Sequence, residues 1–271
     1  MKRELPVYVI EGTAFVVDVA NLQLREKENP GNVLYVFEMW DVGDGYAFDY
    51  SPKIKNMPAL PSNDENETFI KIPPLKKLDL VGMAEAYGYS PEEIMEKSDF
   101  GIMVDQEALT KRLMGHLPVV DIAGDSFYVD LKKDRMFPEG SFLSKGIVFS
   151  EIRSYYNNEQ SAYIIPYNPK TREFEAMDYD NITAIPKDQV LVAFEHESIL
   201  DPVGYNSVHG WDELCRLKFT NVKSHFKAKV IKWEDTAINL VIEKNLNKWQ
   251  QEMQEKKDNV AGKRRHRYPK L

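Results

Sequence analysis

A single cysteine, Cys215, stands in 271 residues, which excludes an internal disulfide and any zinc site built on clustered cysteines. One thiol with no partner fits a reducing compartment. No run of about 18 apolar residues is present, so a membrane-spanning helix is not expected. The first twenty residues carry Glu4, Pro6 and strand-like alternation where a signal peptide would carry an apolar core. A cytoplasmic location and no membrane partner are the expectations. Of the five histidines, none forms an i, i+4 helical pair around a glutamate, so no metal is expected. In Glu195-His196-Glu197, strand alternation would place His196 on the face opposite the two carboxylates, a poor arrangement for joint ligation. There is no phosphate-cradling glycine loop, no G-x-S-x-G elbow and no G-x-G-x-x-G fingerprint, hence no expected cofactor. The catalytic residues are unknown, and an enzyme remains conceivable only as a site assembled from dispersed positions.

What the chain does contain is self-similarity. Residues 5–18 (LPVYVIEGTAFVVD) and 117–130 (LPVVDIAGDSFYVD) agree at eight of fourteen positions, and such repetition fixes organisation before anything else. The alternation through Val7, Val9, Phe15 and Val17, with Gly12 at its centre, predicts a β-hairpin, and Gly124 marks the same turn in the second phrase. Asp18 and Asp130 close the two phrases. Their equivalence permits a paired acid site, but an Asp between an apolar strand and a turn ordinarily accepts local backbone amides.

Agreement continues at growing offsets. Val36-Phe37 falls on Val148-Phe149 at 112, Tyr50-Ser51-Pro52-Lys53 on Tyr167-Asn168-Pro169-Lys170 at 117, and Leu78-Asp79-Leu80-Val81-Gly82 on Leu200-Asp201-Pro202-Val203-Gly204 at 122. The step from 112 to 117 implies about five added residues, placed around Tyr155 to Ser161, and insertions belong in loops. Asp79 and Asp201 read as helix N-caps, and Ser90-Pro91-Glu92-Glu93 as a capping box with proline at the first helical position. The expected fold is α+β: two tandem homologous units, each a small antiparallel sheet with a short helix, plus a C-terminal amphipathic helix. The expected boundaries are 1–89 for the first unit, 90–116 for a helical linker, 117–212 for the second unit, and 213–271 for the C-terminal helix and basic tail.

Charge is distributed unevenly. Residues 221–271 carry a net +7 and residues 1–220 a net −15. A basic end on an acidic body reads either as an arm for nucleic acid, through Lys263, Arg264, Arg265 and Arg267, or as an arm lying back on its own body. Ile238, Ile242, Leu246, Trp249 and Met253 recur at helical spacing, a stripe expected to dock on the globular body or to pair with a second copy of the chain.

Tyrosine clusters at Tyr155, Tyr156 and Tyr163 beside the expected insertion, which makes them the candidate partner surface, since tyrosine buries much area at low entropic cost. The phrase L-P-x-x-x-I-x-G-x-x-F-x-V-D, with the Tyr-Asn-Pro-Lys turn and Leu-Asp-Pro-Val-Gly, resembles uncharacterised bacterial proteins associated with mobile elements. The resemblance spans residues 5–210; it implies a bacterial accessory role and supplies no catalytic residues. The leading expectation is a non-enzymatic protein-interaction or scaffolding protein with an unidentified protein partner. The alternatives are nucleic-acid association through the tail and an enzyme with a dispersed site.

Overall fold

The computed structural model describes residues 3–59, 66–141 and 143–265, with side chains described as far as 257. It is an α+β protein that divides into two compact units, Met1–Lys111 with Leu214–Val222, and Arg112–Glu213 with Lys223–Leu271.

In the first unit, β1 (Val7–Ile10), β2 (Thr13–Asp18), β3 (Gln23–Glu26) and β4 (Val33–Tyr35) form an antiparallel meander in sequence order. A second sheet holds β5 (Trp40–Asp41), β6 (Tyr46–Tyr50) and β7 (Thr68–Ile72), also antiparallel. Five helices follow along the chain: α1 (Leu75–Leu78), α2 (Leu80–Tyr87), α3 (Pro91–Glu96), α4 (Asp99–Met103) and α5 (Gln106–Leu113), the last running past the first unit's end at Lys111. The core brings Phe15, Leu24 and Leu34 of the first sheet together with Tyr46, Phe48 and Tyr50 of the second. Ile94, Ile102 and Met103 belong to the same core, so the expected helical linker, 90–116, falls in the first unit as far as Lys111.

The second unit repeats this order. β8 (Val119–Ile122), β9 (Asp125–Asp130), β10 (Arg135–Pro138) and β11 (Ile147–Val148) form a meander, followed by α6 (Phe149–Ile152). A second sheet then carries β12 (Tyr156–Asn157), β13 (Ala162–Asn168), β14 (Glu173–Phe174) and β15 (Val190–Glu195), ahead of α7 (Glu197–Leu200) and α8 (Pro202–Val208). The chain returns to the first unit with α9 (Leu217–Thr220), then completes the second with β16 (His225–Lys227), β17 (Lys229–Ile231) and α10 (Ile238–Arg265). Residues 213–232 are therefore not tail. β16 pairs parallel to β8 and β17 antiparallel to β15, so one short segment extends both sheets of the second unit. Each unit thus holds two small sheets where one was expected, and all the pairings but β8–β16 are antiparallel among the described strands.

Local geometry recurs between the units. The hairpins turn through Glu11-Gly12 (φ 45° and 78°) and Ala123-Gly124 (φ 52° and 100°), two consecutive positive φ angles of the kind that match strand twist. The α2 and α8 N-termini are built alike. Asp79 accepts from the Gly82 amide at 2.9 Å and from both terminal nitrogens of Arg3 at 2.8 and 2.6 Å. Asp201 accepts from the Gly204 amide at 2.9 Å and from the Arg112 Nε and a terminal nitrogen at 2.8 and 2.9 Å. A Cβ at Gly82 or Gly204 would lie 2.2 or 2.1 Å from the capping carboxylate. The carboxylate needs that space to serve the helix end and the guanidinium at once.

Register corrects the sequence alignment by one residue. The Val36 amide donates to Leu22 O and the Phe149 amide to Asp134 O, both at 2.9 Å, so Val36 corresponds to Phe149 at an offset of 113. Burial agrees, because Val36 and Phe149 are core residues whereas Phe37 is exposed. The identical Val-Phe pair sets the sequence alignment on the wrong face. The expected insertion is also divided. Asp41 pairs with Tyr46 and Tyr156 with Tyr163, which places part of the added length in the helical turn before Tyr156 and part in the following hairpin.

Candidate interaction surface

The four repeated turn and strand-end residues have structural partners. Gly12 and Gly124 occupy the hairpin turns. Asp18 caps the 3₁₀ turn Val19–Asn21 by accepting from the Asn21 amide at 3.3 Å, and lies 3.1 Å from Arg25. Asp130 accepts from the Lys133 amide at 3.2 Å and pairs with Lys133 Nζ at 2.9 Å. Each carboxylate is thus engaged within its own turn.

The tyrosines expected as a partner surface are unequal. Tyr163 is buried: its hydroxyl donates to Glu197 Oε2 at 2.5 Å, and burial and then the carboxylate push its pKa up. It is a core residue, because its place on β13 faces inward. Tyr156 and Tyr155 are half-buried, Tyr156 at 5.2 Å from the Tyr163 ring and Tyr155 edge-on to Phe174 at 5.2 Å. The expectation that His196 and Glu197 diverge is also overturned. β15 ends at Glu195, His196 caps α7 by accepting the Ser198 amide on Nδ1, and the turn into the helix brings Nε2 to 3.0 Å from Glu197 Oε2. Beyond it the rings of Tyr205, His209 and Trp211 continue in contact.

The first unit has a counterpart to the buried tyrosine that the sequence did not reveal. The Tyr46 hydroxyl donates to Asp99 Oδ2 at 2.9 Å, and Asp99 also accepts the Leu75 amide at 2.7 Å. Burial, followed by Asp99, raises the Tyr46 pKa. Tyr167 is raised too, by burial and by its hydrogen bond to Asp125 at 3.0 Å. A phenol held neutral against a carboxylate stabilises a core; it does not supply a base near neutral pH. A cleft of about 690 Å³ lies elsewhere in the first unit, against Glu26, Asn32 and Lys55. There the Lys55 ammonium at 2.6 Å, then the Asn32 amide, hold the Glu26 carboxyl below its usual range. No group of three or more residues arranged to hold a metal ion occurs among the described residues.

Apolar exposure distinguishes another surface. On the outer face of β5–β6–β7, Trp40 is 54% and Phe69 65% exposed, with rings stacked at 6.1 Å. Their register neighbours on β6 are Ala47 and Asp49. The corresponding face of the second unit is covered: Ile164 and Leu191 lie in a cluster with Trp233, Ile238, Met177 and Ile182. Sequence reasoning missed Trp40 and Phe69 because a lone aromatic on a strand carries no sign of whether its outer face will be roofed.

The C-terminal helix is docked only at its start. Ile238 is buried and Ile242 packs beside it, while Asn245 donates to Tyr179 O and Ile182 O at 2.9 Å. Leu246, Trp249 and Met253 are exposed, so the expected docking of the whole stripe is corrected: the cluster that receives Ile238 ends a turn later. Lys263, Arg264 and Arg265 fall within α10, but their side chains, and Arg267 altogether, lie outside the described residues. No helix among the described residues is long and apolar enough to cross a membrane. Comparison with protein-family models, with curated proteins and with solved structures gives no match.

Proposed function

We propose that this is a non-enzymatic protein-interaction module whose two units are tandem copies of one fold, and that the first unit presents the partner surface. The observation that carries the reading is the exposed Trp40–Phe69 pair, at the place where the second unit packs half-buried Ile164 and buried Leu191 against Trp233 and Ile238. Covering a large side chain of this kind is worth about 1–3 kcal/mol, and aromatic anchors of this type dominate protein interfaces. The tyrosines whose pKa values burial raises, Tyr46, Tyr163 and Tyr167, support the non-enzymatic reading, since each hydroxyl is committed to a carboxylate, Asp99, Glu197 and the half-buried Asp125 in turn.

Affinity capture of the full chain from its native cell, with nuclease treatment and nucleic acid checked in the same sample, tests this. The wild type should retain a protein partner after nuclease treatment, and W40A/F69A should lose it. Equal recovery by both chains would remove the surface from consideration. Capture abolished by nuclease would move the function to nucleic acid.

A further inference from the structure

In the second unit both sheets are completed by a segment of seven residues. The Val119 amide donates to Ser224 O at 3.0 Å and the Ala228 amide to Asp121 O at 2.8 Å, which fixes β16 parallel to β8. One residue later the chain passes to the other sheet, where Lys229, Val230 and Ile231 pair with Ala193, Val192 and Leu191. Phe226 and Ala228 point inward and belong to the core. The first unit has the same two edges. β1 pairs with β2 and β7 with β6, and among the described residues neither carries a further strand.

The unfilled place is visible in burial as well as in pairing. Val7 and Val9 are 47% and 59% exposed, and Phe69 is 65% exposed where its counterpart Leu191 is 6%. Tyr8 and Ile70, which correspond to the fully buried Val120 and Val192 beside Phe226, only pack against the rim of the first core. An edge with apolar residues and free amides is a template for pairing with another chain.

We propose that the first unit accepts an extended, apolar segment of a partner protein, which adds as a strand to β1 and β7 as residues 225–231 do to β8 and β15. This rests on the interaction reading above and names the form of the partner. Among the described residues the chain has one such segment and uses it in its own second unit, so a second copy would supply it only by leaving that unit open. The chemistry differs in one respect from the internal segment. The Ser126 hydroxyl and then His225 Nε2, each at 2.9 Å, hold the Asp121 carboxyl below its usual range, with a smaller contribution from Lys227, whereas the counterpart of Asp121 is Val9. A segment for the first unit therefore carries β-branched residues where His225 and Lys227 stand, an aromatic residue at the place of Phe226 and a small one at that of Ala228. Main-chain bonds would give affinity and the inward residues specificity, as in strand addition generally.

The probe is a synthetic peptide of residues 224–231 bearing H225V and K227V, with two lysines added at its end for solubility. It is added to the full chain while amide exchange is followed by NMR. Exchange of the Val7 and Val9 amides and of β7 should slow about tenfold or more, with the second unit unchanged. Val7→Pro removes an outward donor, the counterpart of the Val119 amide, and leaves the β1–β2 hairpin intact. It should abolish the peptide effect while hairpin amides stay protected. Protection confined to other sites, no protection, or equal protection in Val7→Pro would overturn the proposal. So would a chain that sediments as a dimer with Val7 and Val9 already protected, since the edge would then belong to a second copy. Partner capture that depends on Trp40 and Phe69 while the peptide leaves β1 and β7 unprotected would keep the interaction reading and discard strand addition alone.

Discussion

The two units share hairpins, caps and buried tyrosines, yet among the described residues the second has an added strand on both sheets and the first has none. Closure in the second comes from residues 223–242, which supply Phe226 and Ala228 to the core, strands to both sheet edges, and Trp233 and Ile238 to the outer face. The first unit receives residues 214–222 instead. There Lys218 pairs with Asp41 at 2.5 Å and lies over the Tyr46 ring, and Phe219 packs edge-on to Phe37. Those contacts leave β1 and β7 as edges. One unit thus carries an added strand on both of its sheets, and among the described residues the other does not. A smaller difference follows the same line. The Tyr167 hydroxyl reaches Asp125, but the corresponding position in the first unit is Thr13, and the buried Tyr50 hydroxyl has no hydrogen-bond partner among the described residues.

The comparison breaks most decisively at Phe226. F226A removes a buried aromatic side chain, a change that costs about 3–5 kcal/mol, and should open the second unit's edges as the first unit's are open. Amide exchange should accelerate in β8 and β15 and stay constant in β2 and β6. Acceleration spread evenly over both units would mean that closure is not local.

G82A and G204A test whether the shared cap is one device. On helix propensity alone each change should stabilise by up to about 1 kcal/mol. The 2.2 and 2.1 Å approaches to the capping carboxylates predict instead a loss of about 1–3 kcal/mol at both sites, measured by denaturant unfolding. Stabilisation at either would show that the Arg–Asp–helix arrangement yields without cost.

The smallest expected effect is one of pH. Glu26, depressed below its ordinary value of 4.5 by Lys55 and Asn32, contributes stability that is present above that value and lost as pH falls through the lower, folded one. Its counterpart in the second unit is Pro138, so the contribution is confined to the first. Melting followed from neutral pH to about pH 3 should show a shallower acid decline in E26Q. An unchanged profile would remove Glu26 from the acid response.

Features carried by a few neighbouring residues were legible in the sequence. The Glu11-Gly12 and Ala123-Gly124 turns, the Asp79 and Asp201 caps and the Ser90–Glu93 capping box each depend on backbone geometry within four residues. Legibility failed where distance entered. Val36 aligned with the wrong neighbour because identity outweighed burial. Asp99 carries no local signal, because its partner is Tyr46, fifty-three residues away. The alternation of Phe226, Ala228 and Val230 is itself a strand signal, but nothing in it names the sheets that the strands join.

By itself, then, the sequence determined the mixed α+β class, the local turns and caps, and the absence of any long apolar span, because propensity, capping and hydropathy act over a few residues. Only the tertiary structure decided which unit the segment 223–231 completes, which sheet edges stay open and which aromatics are roofed. Strand pairing across a hundred residues is chosen by the burial of Phe226 and the bonds at Val119 and Asp121 together, and neither partner's local sequence specifies the other.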